Sequence, residues 1–473
     1  MNENLTALIP ELALVGAAVI GLLTGSWLPR RRQWIVAALA AVACATGLVA
    51  TAVTMATGRE QTVFSAAFAV DTATDFGRLI VLAALLLIIG MSVETVRGHK
   101  RETEYWVLLL LTGAGTLALL GANDLLMLFA AYLLASIPAY ALAGFTKDAR
   151  GTEAALKYYL MGALLGTAML AGIALLYGVG HGTHYSELNA GLPAASYGLV
   201  AIGLVGVLAG LLFKVGAVPV HFWVPDVTDG APTPVAAYVT TLPKIGGLIA
   251  GYRLLHQALP NSDVNWPLLL GILAAVTMTL GNLAAFFQTS VKRLLAYSTI
   301  SQVGYLLMAL AVATYSDFAQ KSLLFYLAAY AATNLGAFAV VTELPAARAL
   351  ADYRGLARSH PGLAGVLVVC LLGLVGTPPT GVFVGKLEIF SAAIDGGYTW
   401  LAAFAVANTV ASLFYYLRWL APLFTTADEV PVNGHTVLGR WSAVTAYTAA
   451  ALSLALGIAG EAALTLTTGP LLP

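Results

Sequence analysis

The chain has 473 residues, of which 59% are hydrophobic and only 10% charged, with 23 basic residues balancing 23 acidic ones. An ordinary soluble domain carries about 25% charged residues, so this chain could not cover a globular surface, and a soluble enzyme is excluded. The zero net charge gives no sign of nucleic acid or of an acidic partner; the surroundings that the composition calls for are a lipid bilayer.

A bilayer core takes about 20 apolar helical residues. The first apolar run, 5–28, follows an acidic head, is too long for a signal peptide and lacks a small-residue cleavage site, so it reads as a first span. Thirteen more follow at 34–56, 76–96, 105–121, 124–145, 153–178, 196–220, 232–256, 265–288, 294–314, 322–342, 362–390, 397–421 and 441–464. The longest gaps, 343–361 and 422–440, are too short for a folded soluble domain. The prediction is an all-α integral membrane protein of about 14 helices. It forms one polytopic domain over 1–473, with N-terminal spans in 1–104, a first repeat in 105–256, a second in 265–421 and a last span at 441–464.

Basic residues collect on the cytoplasmic side of a membrane. Odd-numbered connections hold 14 of them, Arg30, Arg31, Arg32, Arg97, Lys100 and Arg101 included, whereas even-numbered ones hold Arg59, Arg78, Arg253 and Lys321. The split predicts odd loops inside, both termini on the outer face, and a bacterial cytoplasmic membrane as the location. Cys44 and Cys370 lie far apart in apolar stretches and read as core residues. His181 and His184 have no further ligand nearby, so no metal site is expected and the loop is taken as solvated. Asp71 and Asp75 before the third span read as capping residues.

With Arg78 and Arg253, close to span ends, counted among the connections, five basic residues are left within spans: Lys157, Lys214, Lys244, Lys386 and Arg418. A charge at the bilayer centre costs about 2.5–3.5 kcal/mol even on the lenient insertion scale. Lys157 and Arg418 are near span ends, where a long side chain can reach the interface. Lys214, Lys244 and Lys386 lie beside helix-breaking residues or deep within a span, and a functional role is expected. Gly216 and Pro219 follow Lys214, while Pro378, Pro379 and Gly381 precede Lys386; these residues interrupt spans seven and twelve. Breaks five spans apart predict two five-helix repeats, spans four to eight and nine to thirteen, inverted because the number is odd. Many transporters build ion sites this way, although prolines also kink purely structural helices. Burial disfavours a lysine's charged form, so linked buried lysines suit proton transfer. Glu153 and Lys157, four apart, share a helix face as a local ion pair or a modulator of such a path.

The stretch F-K-V-G-A-V-P-V-H-F-W-V-P-D-V-T-D-G-A-P-T-P-V-A-A-Y (213–238) and P-K-I-G (243–246) resemble the antiporter-like membrane subunits of proton-translocating NADH:quinone oxidoreductase, complex I. K-R-L-L-A-Y-S-T-I-S-Q-V-G-Y (292–305) and G-T-P-P-T-G-V-F-V-G-K (376–386) resemble the same superfamily, which Mrp-type cation/proton antiporters share, and the P-D-V-x-x-G-A-P-T-P-V phrase is most similar to its subunit N branch. The resemblance implies that Lys214 gives and takes the pumped proton, that Lys244 relays it and that Lys386 completes the outward half-channel. It implies that His221, Trp223, Pro225 and Asp226 shape the loop after helix seven. It also implies other membrane-arm subunits as partners, no cofactor in this chain, and quinone, flavin and iron–sulfur clusters in those partners.

One departure stands out. The family expects a glutamate in helix five to pair with the helix-seven lysine, and Leu133 occupies that position here. Asp124 lies about nine residues earlier, too far along a helix to substitute, and Tyr132 is neutral at ordinary pH. The alternatives are therefore a cation/proton antiporter subunit, or a non-pumping scaffold paralogue.

Overall fold

The computed structural model describes residues 4–425 and 437–472. Among them, twelve helices are long and apolar enough to cross a membrane: Leu5–Trp27, Arg30–Thr57, Thr72–Val96, Glu102–Leu120, Leu125–Ala143, Ala149–Gly180, Tyr197–Val215, Trp266–Ala285, Val291–Ala311, Ala319–Glu343, Thr399–Phe424 and Arg440–Ile458. Two of the predicted spans are missing from that set for physical reasons. The eighth is a continuous helix, Thr233–Ala258, too polar to qualify but buried nearly all round. The twelfth is split into Pro361–Val375 and Gly381–Asp395. Fourteen span positions result, and they are numbered one to fourteen below.

Helix starts follow their caps. Asp71, Asp124, Asp148, Asn265 and Ser290 each accept a hydrogen bond from a first-turn amide, opening spans three, five, six, nine and ten. Without a hydrophobic drive between helices in lipid, close backbone approach holds spans together. Spans four and five meet at Gly115, where an added Cβ would lie 2.2 Å from the Ala135 nitrogen. Spans nine and ten, their counterparts in the predicted second repeat, meet at Gly281, where a Cβ would lie 2.5 Å from the Ser301 nitrogen. Spans ten and eleven form the hub: 94% of the most apolar stretch of each is buried, against 33% in span fourteen.

The two breaks match in detail. Span seven ends on Gly216 at φ 80° and span twelve's first half on Gly376 at φ 90°, the left-handed region that favours glycine. Each is followed by a cis X-Pro bond, Val218–Pro219 and Pro378–Pro379.

A two-stranded hairpin, Gln61–Val63 with Phe68–Val70, joins spans two and three. Three expectations need correction. Arg78 and Arg253, assigned to outer connections, are fully buried within spans three and eight. Arg78 pairs with Glu11 at 2.8 Å and with Asp75 at 2.9 Å, so Asp75 is an ion-pair partner and not a cap. Arg253 pairs with Asp71 at 2.7 Å, and Asp71 also accepts from the Leu472 amide at 3.0 Å, drawing the chain's end across the bundle. Span fourteen stops at Ile458, short of its predicted end at 464, and a short helix, Gly460–Thr465, follows. Most of the gap 422–440 lies outside the described residues.

Candidate functional site: three buried lysines and a polar belt

Lys214 sits on the last turn of span seven before its break, with no exposed surface. Its Nζ donates to Ser136 Oγ on span five at 2.8 Å and lies 5.5 Å from the centre of the Tyr132 ring. Lys244, midway along span eight, is equally buried; its Nζ donates to the Val239 carbonyl at 2.9 Å and lies 5.0 Å from the Trp223 ring centre. Trp223 in turn donates to the Phe213 carbonyl at 3.1 Å and stacks on Tyr158, so the break after Lys214 is walled with aromatic rings. Lys386, in the second half of span twelve, donates to the Val375 carbonyl at 2.8 Å and to Thr409 Oγ1 at 3.2 Å, with the Tyr305 ring centre 4.2 Å away. Among the described residues, none of the three forms an ion pair. Each ammonium is held by neutral oxygens and a ring face, interactions that leave its charge uncompensated.

Between Lys244 and Lys386 runs a belt of polar side chains that sequence reading missed. Asn334 on span eleven donates to Thr240 and Thr241 of span eight at 3.2 and 2.9 Å. Tyr330 donates to the Thr240 carbonyl at 2.8 Å, and its hydroxyl pairs with that of Thr299 at 3.0 Å. Tyr326 donates to Gln302 Oε1, and Gln302 donates to the Leu374 carbonyl, next to Lys386's acceptor, at 2.7 Å. Thr409 links Lys386 to the Tyr305 hydroxyl at 3.3 Å. The detectable signal was the density of Ser, Thr, Asn, Gln and Tyr in spans ten and eleven, which no lipid-facing helix would tolerate. Asn334 Oδ1 and Ser301 Oγ on this belt are buried with no hydrogen-bond partner among the described residues.

The supporting residues divide into two groups. Lys157 pairs with Glu153 and with Asp226, both at 2.7 Å, and Asp226 also receives Arg293 at 2.9 Å. These four clamp the start of span six to the helix after the span-seven break, Trp223–Gly230, and to the start of span ten. Burial pushes the Asp226 carboxyl up, but the hydrogen bonds and charges of Lys157 and Arg293 outweigh it and leave the group below its ordinary range. His221 lies in the break, buried, with its ring 4.4 Å from that of Phe222. Asp124 stands apart. It caps span five through the Leu126 and Met127 amides, about 18 Å along the helix from Ser136 at 1.5 Å per residue. His184 approaches Asp124 to 3.7 Å, so it is less solvated than its loop position suggests. Arg418 is exposed and donates to the Phe286 and Gln288 carbonyls at a span end. Leu133, three residues before Ser136 on span five, is 36% exposed.

On the face of the even-numbered connections, a polar cavity of about 610 Å³ lies between Tyr252, His256, Asp317, Lys321, Asp395 and tail residues 467–471. Asp395 ends the helix that carries Lys386.

A family model described as "NADH:quinone oxidoreductase/Mrp antiporter, TM" matches residues 122–412, which carry all three lysines and both breaks. The chain belongs to this family. It is 55% identical over 458 residues to the NADH-quinone oxidoreductase subunit N 1 of Streptomyces griseus subsp. griseus, covering 97% of this chain and 96% of that one. It is 49% identical over 448 residues to the subunit N of Mycobacterium sp. (strain JLS), covering 95% of both. A chain from respiratory complex I of Thermus thermophilus with bound aureothin superimposes with a TM-score of 0.85 at 31% identity, covering 98% of this chain and all of that one. A chain of the Mrp complex from Dietzia sp. DQ12-45-1b has a TM-score of 0.86 at 23% identity, covering 98% of this chain and 96% of that one, a likeness of fold alone.

Proposed function

We propose that this chain is the subunit N-type, proton-translocating membrane subunit of an NADH:quinone oxidoreductase. It would move protons through Lys214, Lys244 and Lys386 while quinone is reduced elsewhere in the complex. Three buried lysines, paired with no described carboxylate, two of them at the ends of a belt of hydroxyls and amides, carry this reading. A purely structural membrane helix gains nothing from a buried ammonium that costs several kcal/mol to desolvate. The belt's unpaired Asn334 Oδ1 and Ser301 Oγ suit hydrogen-bonded water, which would join its side chains into a continuous path. The cavity beside Asp395 would open this path on the outer side, about 14 Å along the helix from Lys386.

The remaining parts of the reading follow from it. The chain carries out no redox chemistry; the flavin, iron–sulfur clusters and quinone site belong to partner subunits. It sits among other membrane-arm subunits in a bacterial cytoplasmic membrane, with odd connections inside and both termini outside. The two inverted repeats supply one break each.

The test is Lys386→Ala in the assembled complex in inverted membrane vesicles, read as protons pumped per NADH oxidised. A clear fall in that ratio is expected. An unchanged ratio would leave the scaffold reading, and proton uptake that depends on sodium without NADH would favour the cation/proton antiporter.

A further inference from the structure

The face of span five that lacks a carboxylate presents hydroxyls instead. Lys214 Nζ donates to Ser136 Oγ at 2.8 Å, and Ser136 Oγ donates to the Tyr132 carbonyl at 2.6 Å. The Tyr140 hydroxyl, one turn further along, interacts with the side chains of both Ser136 and Tyr132. Its ring meets the edge of Tyr158 at 4.7 Å, which ties it to the aromatic wall around the break. Room for that hydroxyl comes from span six, where Gly162 carries no side chain: a Cβ there would stand 1.9 Å from the Tyr140 oxygen. Ser136 is buried, whereas Leu133 is partly exposed, so the lysine's partner has moved one turn along the helix and changed its chemistry.

We propose that Ser136 and Tyr140, seated by Gly162, are the positioning residues that replace the helix-five carboxylate as the partner of Lys214. The proposal rests on Lys214 lying in the proton path. A carboxylate only accepts hydrogen bonds and favours the ammonium alone, whereas a hydroxyl both donates and accepts. When Lys214 is protonated, Ser136 Oγ accepts from it and points its own hydrogen at the Tyr132 carbonyl. When Lys214 is neutral, the Ser136 hydrogen turns to the amine lone pair and Tyr140 takes up the donor position beside Ser136. No proton leaves either oxygen; only O–H bonds rotate. Both states of the lysine therefore keep a partner in a fully buried site.

The experiment uses the assembled complex in inverted vesicles, with protons pumped per NADH as the readout. Lys214→Ala sets the size of the deficit that this lysine controls. Ser136→Thr and Ser136→Val have the same shape and differ only in the hydroxyl, and Tyr140→Phe removes one oxygen. The Val and Phe variants are expected to reproduce the Lys214→Ala deficit, and the Thr variant to keep the wild-type ratio. Gly162→Ala, which displaces the Tyr140 hydroxyl, is expected to match Tyr140→Phe, and adding Leu133→Glu to Ser136→Val is expected to recover at least half the lost ratio. Wild-type ratios in the Val and Phe variants, beside a deficit in Lys214→Ala, would overturn the proposal and leave the proton path standing. A wild-type ratio in Lys214→Ala would overturn the proton path through Lys214 itself.

Discussion

Three glycines in the left-handed region allow the two breaks to be weighed separately. Gly58 (φ 59°), past the end of span two, has nothing within 4 Å of an added Cβ, so Gly58→Ala isolates the backbone term, about 1–2 kcal/mol. At Gly216 (φ 80°) the same Cβ would meet Val224 Cγ2 at 2.6 Å, and a β-branched side chain in a packed wall cannot swing away. Overpacking of that kind adds about 1–3 kcal/mol, so Gly216→Ala should cost about 2–5 kcal/mol in all. At Gly376 (φ 90°) the Cβ would meet Lys386 Cδ at 2.9 Å, a stem that can turn aside. Gly376→Ala should therefore cost little beyond the backbone term, about 1–2 kcal/mol, but pull Nζ away from the Val375 carbonyl and the Tyr305 ring. The assay is paired: thermal inactivation of the purified complex for stability, and protons per NADH for coupling. The expected order of stability loss is Gly216→Ala above Gly376→Ala and Gly58→Ala, with coupling lost in Gly376→Ala and kept in Gly58→Ala. A Gly216→Ala complex as stable as Gly58→Ala would refute the clash argument.

Other outcomes follow from the buried charges. Arg253→Met leaves Asp71 charged and buried, a loss of about 3–5 kcal/mol, and should free the C-terminal tail to carboxypeptidase; adding Asp71→Leu should restore most of the stability. Asp226→Asn removes the acceptor shared by Lys157 and Arg293, so hydrogen exchange in Trp223–Gly230 should quicken while spans ten and eleven stay protected. Because the Asp226 carboxyl is held low, the clamp's contribution is present above the free value of about 3.9 and lost as pH falls through the lower native value. Protection of that helix should then be flat from about pH 5 to 8 and collapse only in stronger acid, and a loss centred near pH 6 would contradict the assignment. Gly115→Ala forces backbone against backbone between spans four and five and should lower the yield of folded chain, where the same change at Gly16, with open space around it, should not.

Much of the fold was legible because a bilayer imposes a length and an apolar composition on every span. Lys214, Lys244 and Lys386 announced themselves as charges among leucines and valines, and the breaks through Gly216, Pro219, Pro378 and Pro379. What the chain hid was pairing across long separations. Arg253 finds Asp71 182 residues away and Arg78 finds Glu11 67 residues away, so a window along the sequence placed both arginines in loops. Ser136, Tyr140 and Gly162 are unremarkable residue types in apolar helices, and only their meeting beneath Lys214 gives them a role. Thr240, Asn334 and Tyr330 escaped notice for the same reason, although their helices' low hydropathy was visible.

The hub of spans ten and eleven bears on how the chain is made. Insertion machinery judges each segment by its own apolarity as it emerges, before any partner is present. The first three spans have mean hydropathies of 2.1 to 2.5, while spans ten and eleven reach only 1.5 and 1.6 and span eight falls short of a span altogether. Lipid thus accepts the helices at the centre alone less willingly than the first three, and span eight, buried nearly all round, less willingly still. They must be handed to neighbours already in place, and since span fourteen packs against span eleven, the centre closes only after span fourteen has emerged.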